Sequence, residues 1–293
     1  MGCKIGILGG TGVYDIDGIG ELTEHRMETP FGTPSDAYLH GRLDEHDLYF
    51  LPRHGRGHKL LPQEINYRAN IYGFKMLGVD RIISISAVGS LKEEYRPRDV
   101  VLVDQYFDRI KECDAHTVFG QGLVAHVTFA DPTSEALRDI LAKATATVLA
   151  ADQDTEAKVH VGGTYVNMRG PAFSTRAESN VHRQLGFDVI GMTSLAEAKL
   201  CREAEISYQP MAMITDYDCW HEDEGDVSVE MVIDHLRANA ALGKAIVRVA
   251  VMNMPETLDC PAQTALATAI LTPAEHVSDD ARNRLSAIVG KYL

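Results

Sequence analysis

Two aspartates one residue apart, Asp216 and Asp218, close an apolar run from Met211 to Ile214. An apolar run of this kind reads as a buried strand of an α/β sheet. Ligands of such sheets bind in the crevice at the carboxyl ends of the strands. Two neighbouring carboxylates there repel one another, and burial raises their pKa further, so one can keep a proton near neutral pH and donate it. The other reading is structural: one acid caps the following helix and its neighbour is solvated.

Four further stretches combine small residues with groups that suit an oxyanion. Arg53-His54-Gly55-Arg56-Gly57-His58 is the densest cationic window of the chain. Arginine offers a planar fork for phosphate oxygens and histidine a second donor; the alternative is a solvated turn with snorkelling side chains. Gly9-Gly10-Thr11-Gly12 follows a short strand and suits either an anion nest or a plain tight turn. It is not a dinucleotide fingerprint, because the third glycine of that pattern would fall on Asp15. Ser84-Ile85-Ser86-Ala87-Val88-Gly89-Ser90 offers the Ser86 hydroxyl and the Ala87 amide, and Met192-Thr193-Ser194 lies just before a helix N-terminus. Ser194 also reads as a simple N-cap. In the loop Gly170 to Arg176, Phe173 either stacks on a base or plugs the loop from beneath.

Short apolar strands alternate with amphipathic helices almost to the end. That predicts one α/β domain spanning residues 1–293, a central twisted mixed sheet flanked by helices, with a helical segment at about 255–293. Strands are expected at 4–8, 48–51, 81–86, 100–103, 158–161, 164–168, 188–190 and 211–214. Helices are expected around Ile65 to Met76, closed by Gly78; from Asp131-Pro132 through Val148; from Arg176 to Gly186; from Ser194 to Ala204; and from a Ser228 cap through Ile246. A helix or two should include Leu266, Ile270 and Leu271.

Composition excludes several classes. The 293 residues carry a formal net charge of −14, which argues against a nucleic-acid partner or an anionic membrane surface. An anionic substrate must then be held by local groups, which makes Arg53 and His54 more telling. Five scattered cysteines without CxxC spacing fit free thiols in a reducing cytosol and neither a disulfide framework nor a zinc site. No apolar run approaches the ~18 residues of a membrane span, and no cleavable signal pattern opens the chain. A cytoplasmic protein is expected.

Taken in register, Gly9 to Gly12, Arg53-His54-Gly55, Ser86 to Ser90, Gly170-Pro171-Ala172-Phe173-Ser174, Gly191-Met192-Thr193 and Thr215 to Trp220 resemble the trimeric purine nucleoside phosphorylase superfamily, in particular its adenine-releasing branch of methionine salvage. The resemblance covers residues 4 to about 235 and thins toward the C-terminus. It implies phosphorolysis of S-methyl-5′-thioadenosine to adenine and 5-methylthioribose 1-phosphate, without metal or cofactor and with inorganic phosphate as co-substrate. It also implies that Thr11, Arg53, His54, Ser86, Ala87 and Thr193 hold phosphate, that Phe173 and Met192 contact base and ribose, and that Asp216 and Asp218 face the purine as the catalytic pair. Ser174 and Val229 match positions bearing on substrate choice. His126 and Leu271 would close the 5′ end of a neighbouring subunit's site, which implies a homotrimer or a hexamer of trimers. The chain departs from the pattern at Arg169, where a glutamate is usual, at Ala172, where a larger polar residue is usual, and at Ala196, where proline is usual. Arg169 reverses a charge near the base-side loop, and none of the three departures touches a phosphate position.

The acid pair favours a 6-aminopurine, whose exocyclic amine donates, over a 6-oxopurine, whose oxygen an ionised carboxylate repels. Alternatives within the class are adenosine, 5′-deoxyadenosine, methylthioinosine or 6-oxopurine nucleosides. Outside it stands a nucleoside-binding or hydrolytic protein that uses water, which a requirement for phosphate separates.

Overall fold

The computed structural model describes residues 2–10, 16–111, 116–221 and 229–293, without the side chains of 229–233. Strands β1 (Lys4–Gly9), β2 (Thr23–His25), β3 (Tyr38–Leu43), β4 (His46–Pro52), β5 (Arg81–Ser90), β6 (Val100–Leu102), β7 (Gln105–Asp108), β8 (Val159–Val161), β9 (Thr164–Asn167), β10 (Val189–Gly191) and β11 (Ser207–Asp216) belong to one mixed sheet. The helices are α1 (Tyr67–Met76), α2 (Glu135–Ala151), α3 (Arg176–Gln184), α4 (Ser194–Glu203), α5 (Val229–Met252), α6 (Asp279–Arg284) and α7 (Ser286–Val289).

Alternation along the central strands sorts the core into layers. Leu8, Ile82 and Tyr208 face one side with Ile71 and Phe74 of α1, Leu200 of α4 and Ile288 of α7. Ile5, Ile7, Ile83, Ile85, Met211 and Met213 face the other, with Leu137 and Leu141 of α2 and Ile246, Val247 and Ala250 of α5. Helices on both faces of a largely parallel centre bury its strands completely, which is why these strands read as apolar runs. All ten residues of β11 are buried.

The feature that makes a site is a fork in the sheet at β5. Along one edge β5 pairs with β11 from Arg81 to Gly89. Along the other it pairs with β1 only as far as Ser84. That edge is taken up again by β10, antiparallel, at Gly89 and Ser90. On that edge, among the described residues, positions 85–88 have no strand beside them, and a crevice opens where the sheet divides.

Several boundaries differ from the sequence reading. β5 runs four residues beyond the expected end at Ser86, because β11 and β10 supply ladder partners. β11 starts earlier than Met211 and includes Asp216, reached through a register shift after Ile214. Pro132 does not open α2; Ser134 is its N-cap and accepts the Leu137 N–H at 3.3 Å. Ser194 is not a cap. Thr193 occupies that position, and the Ser194 hydroxyl lies 2.6 Å from Tyr106 Oη and 2.9 Å from Tyr208 Oη. Leu266, Ile270 and Leu271 form no helix: Ile270 bridges Ala125, and the Leu266 N–H is held by the Glu205 carboxylate at 2.9 Å. The C-terminal segment consists instead of short turns at Pro261–Thr264 and Ala274–His276 followed by α6 and α7. Strands β2, β3 and β7 carry no clear apolar run, and the sequence does not announce them. The Ser228 cap lies outside the described residues.

Candidate active site

A cavity of about 390 Å³ occupies the fork. Its floor is Ile85 to Val88, the edge of β5 left open between β1 and β10, together with Gly89, where β10 joins. Gly10, Arg53 and His54, from the ends of β1 and β4, form one side with His58. Met168, Pro171, Phe173, Met192 and Thr193 form another, and Leu236, Asn239 and Ala240 of α5 close it from above the sheet. Thr215, Asp216 and Asp218 stand at the end of β11. A larger open depression of about 670 Å³ lies around Arg26, Asp36, Arg56 and Lys59, but it contains neither acid of the pair.

The acids are bound to each other through the backbone. Asp216 Oδ1 accepts the Asp218 N–H at 2.8 Å, and Asp216 Oδ2 lies 2.7 Å from Thr215 Oγ1. Asp218 takes a left-handed backbone, φ +52°, which aspartate tolerates better than most residues. Burial pushes the Asp216 pKa up to about 6, with the charge of Asp218 adding and the two hydrogen bonds opposing. Burial raises Asp218 as well. Gly89 makes room for the pair: a Cβ there would stand 2.9 Å from Asp216 Oδ1 and 3.3 Å from the Asp218 nitrogen.

Arg53 is more deeply tied than a freely offered cation. It is 3% exposed, and its Nε donates to Glu197 Oε1 of α4 at 2.6 Å. Nη1 donates to the Ile85 carbonyl at 2.7 Å, and Nη2 donates to Ser84 Oγ at 2.7 Å and to the Leu8 carbonyl at 3.1 Å. The guanidinium thus cross-links β1, β5 and α4 at the cavity wall while its positive charge is offset by Glu197.

His54 has a defined tautomer. Its Nδ1 lies 2.8 Å from the Leu60 carbonyl, which can only accept, so Nδ1 carries the proton. Burial lowers its pKa to about 4, with Arg53 and His58 repelling a second proton. Nε2 is therefore an acceptor at neutral pH, and the expected second donor to an anion is an acceptor for a hydroxyl instead. The ring stacks on His58, with centroids 4.2 Å apart.

Ser86, Ala87, Thr193, Met192 and Phe173 all line the cavity, with Phe173 half-exposed at its rim. Ser174 does not line it; its hydroxyl points to Met168 Sδ at 3.8 Å and its carbonyl accepts from Cys219 Sγ. His126 and Leu271 lie away from this chain's own cavity, joined by a local pairing in which His126 N–H donates to Ala269 and Leu271 N–H to Val124. Thr11 lies outside the described residues, as does the side chain of Val229 at the start of α5. Sequence reasoning assigned no role of their own to Glu197, Asn239, Gly89 and His58. Gly89 and His58 had local signals, in the strand end Ser84 to Ser90 and in the cationic window; the other two acquire meaning from what they approach in space.

The fork, the oxyanion-suited strand ends and the acid pair define a phosphorylase-type α/β fold. The sequence profile of the phosphorylase superfamily matches residues 4–251, and the chain belongs to that superfamily. It is 50% identical to an S-methyl-5′-thioadenosine phosphorylase of Geobacter sulfurreducens, with 99% of each chain covered. Among solved structures it is similar to a methylthioadenosine phosphorylase from an antarctic soil metagenomic library (TM-score 0.92, 44% identity, 98% of this chain and 99% of that one). It is also similar to a methylthioadenosine phosphorylase from Schistosoma mansoni in complex with adenine (TM-score 0.80, 35% identity, 86% of this chain and 92% of that one).

Proposed function

We propose that this chain catalyses the reversible phosphorolysis of S-methyl-5′-thioadenosine to adenine and 5-methylthioribose 1-phosphate. The observation that carries the reading is the buried acid pair at the end of β11, one member of which has its pKa pushed up to about 6, beside a cavity of nucleoside size. Relatives at about half identity over the whole chain, named for this activity, support it.

In the forward reaction a phosphate oxygen bonds to the anomeric carbon as the bond from that carbon to purine N9 breaks. The electron pair leaves with the purine, and a proton on Asp216 passes to N7. Protonated Asp216 neutralises the leaving group, a general-acid contribution of typically 10²–10⁴. Ionised Asp218 accepts from the exocyclic amine. A 6-oxopurine would place an acceptor there, and a mismatch of buried polar groups is worth ~10⁴ in discrimination.

Phosphate sits over Ser86, the Ala87 amide and Thr193, and Thr11, which lies outside the described residues, is assigned to the same set. Arg53 supplies positive potential from the cavity wall. His54 Nε2, as an acceptor, suits the hydroxyl of monoprotonated phosphate or of the ribose. Holding nucleophile and nucleoside in line accounts for much of such a rate. No cofactor is called for, because phosphate is itself the nucleophile. Phe173 and Met192 flank base and ribose, and Ser174 and Val229 tune the choice of nucleoside. His126 and Leu271 complete a neighbour's 5′ pocket in a homotrimer, or in a hexamer built from trimers. The reaction belongs in the cytoplasm; among the described residues no helix is long and apolar enough to cross a membrane.

The test is base release from a panel of nucleosides with and without inorganic phosphate. Phosphate-dependent adenine release, fastest with the 5′-methylthio nucleoside, is expected. Release without phosphate, or preference for the inosine analogue, would overturn the reading.

A further inference from the structure

Arg56 belongs to the cationic window of the sequence, yet the reaction as described gives it no part. The loop that carries it is a wall between two hollows. Arg53, His54 and His58 face the cavity at the fork, whereas Gly55, Arg56, Lys59 and Leu60 face the outer depression. The Arg56 guanidinium is engaged on that outer side. Nη2 donates to Asp36 Oδ1 at 2.8 Å, Nε lies 3.1 and 3.2 Å from the two Asp36 oxygens, and Nη1 donates to Glu24 Oε1 at 2.5 Å. The Arg56 backbone N–H donates to Asp36 Oδ2 at 2.8 Å. One carboxylate thus holds both the side chain and the main chain of the loop.

Asp36 is itself tied to the core. Its Oδ1 accepts the Ala37 N–H at 2.8 Å. The Ser35 N–H donates to Asn70 Oδ1 at 2.8 Å, and Asn70 Nδ2 donates to Ser35 Oγ at 2.9 Å. Asn70 lies on α1 and is 1% exposed. Within the loop, the His54 carbonyl accepts from the Lys59 and Leu60 N–H groups at 2.9 and 3.1 Å, and the His54 ring donates back to the Leu60 carbonyl at 2.8 Å. A turn this tight passes through left-handed backbone at Gly55, Gly57 and His58, φ +69°, +82° and +54°. A non-glycine residue persists there when its surroundings over-determine it. The His58 ring stacked on His54 depends on that geometry.

We propose that Asp36 and Arg56 are positioning residues: their pairing outside the wall fixes the loop 54–60, so that His54 keeps its Nδ1 proton on Leu60 and presents the Nε2 lone pair to a phosphate or ribose hydroxyl. Most part-exposed ion pairs contribute little, but this one is bidentate, charge-assisted and joined to a main-chain bond. Burial raises the Asp36 carboxyl, and the hydrogen bonds from Arg56 and Ala37 outweigh it and hold its pKa down at about 2. The clamp is therefore charged throughout the working range. The charged and titratable groups around His54 are Arg53 and His58, which repel a proton, with Asp216 and Asp218 on the same cavity.

The inference rests on the proposed phosphorolysis, and a spectroscopic signature separates the two. Wild type, Arg56→Gln, Asp36→Asn and Asp36→Ala are prepared with nitrogen-15-labelled histidine, and His54→Gln assigns the ring signal. In wild type the His54 ring should stay neutral, with its proton on Nδ1, from about pH 5 upward. In Arg56→Gln and Asp36→Ala it should titrate near the ordinary value of about 6.5 and lose its preference for Nδ1–H. In those variants kcat/KM for phosphate and for the 5′-methylthio nucleoside should fall about tenfold near pH 6, less than the ~10² of a displacement near 1 Å, and the loss should shrink at higher pH. Asp36→Asn, which keeps one acceptor for Arg56, should lie between. A variant that melts lower yet keeps the wild-type ring signature overturns the assignment, as does a loss of rate equal at every pH. Should Asp36→Ala not fold, Arg56→Gln decides alone, because the Arg56 side chain is 42% exposed. Wild-type protein that cleaves no nucleoside, or cleaves it without phosphate, would instead fail the proposed reaction, while the ring signature still reports on the clamp.

Discussion

Asp216 accepts the backbone N–H of Asp218 at 2.8 Å, so the position of one acid sets the geometry of the other. The register shift after Ile214 and the left-handed backbone at Asp218 bring both carboxylates to the same end of the cavity. They share an environment but differ in hydrogen bonding. Asp216 has both oxygens engaged by Thr215 and Asp218, whereas Asp218 has one oxygen turned into the protein without a partner among the described residues.

Replacing Asp216 by asparagine removes the proton for N7 with little change of shape. Asparagine can accept the Asp218 N–H through its carbonyl and donate to Thr215 Oγ1, which then donates to the Val88 carbonyl 3.2 Å away. The expected loss in kcat is about 10³, within the range for a general acid. Adenine release followed at saturating phosphate checks it; unchanged turnover would remove Asp216 from the chemistry.

The same residue should make stability depend on pH. Its folded pKa, about 6, lies above the ordinary value of 3.8, so between the two the native state binds more protons than the unfolded one. Stability therefore falls as pH rises from about 4 to about 6 and is flat beyond, a loss of roughly 3 kcal/mol for two pKa units. Asp216→Asn lacks this penalty. Its urea midpoint should exceed that of wild type at pH 8, and the difference should close near pH 4 in paired denaturation series.

Breaking the Arg53–Glu197 pair should cost stability before it costs chemistry. Both side chains are nearly inaccessible, 3% and 1% exposed. Glu197→Ala leaves a buried guanidinium without its counter-charge, a change typically costing 3–5 kcal/mol. Glu197→Gln, which keeps hydrogen-bond acceptance, should cost less. Urea midpoints rank the three proteins, and a lower KM for phosphate in the glutamine variant would show that the site feels the Arg53 charge once Glu197 no longer offsets it.

Gly89→Ala should injure the site more than the fold. The new Cβ would lie 2.9 Å from Asp216 Oδ1 and 3.2 Å from Ile190 Cγ2, so either the acid pair or β10 must move. Displacement near 1 Å at a catalytic group costs ~10²-fold, while overpacking costs ~1–3 kcal/mol. Steady-state rates alongside thermal melts distinguish this from general unfolding; a variant with wild-type kcat would show that Gly89 is not needed for the approach of the acids.

Much of the architecture was legible because buried parallel strands are written as apolar runs. The runs at 4–8, 81–86 and 211–214 mark strands that exist, and the small, polar or charged residues after them do meet at one cavity. Arg176 to Gly186 was readable as a helix because Thr175, Glu178 and Gly186 punctuate it locally. Where local signals competed, the reading slipped. Pro132 and Ser134 both resemble helix starts, and only the hydrogen bond to Leu137 decides between them. Leu266, Ile270 and Leu271 have helical spacing, yet a bridge to Ala125 and a bond to Glu205 hold them in another conformation.

The sequence by itself determined the residue types at the strand ends, because a strand's direction carries its last residues to the rim of the sheet whatever lies beside it. Tertiary structure alone decided what those residues can do. Arg53 is matched by Glu197 across 144 positions, His54 becomes an acceptor because the Leu60 carbonyl claims its Nδ1 proton, and the crevice exists because β1 leaves β5 at Ser84 before β10 joins it at Gly89. Charge, tautomer and open space depend on neighbours brought together by folding, and no local pattern of residues encodes them.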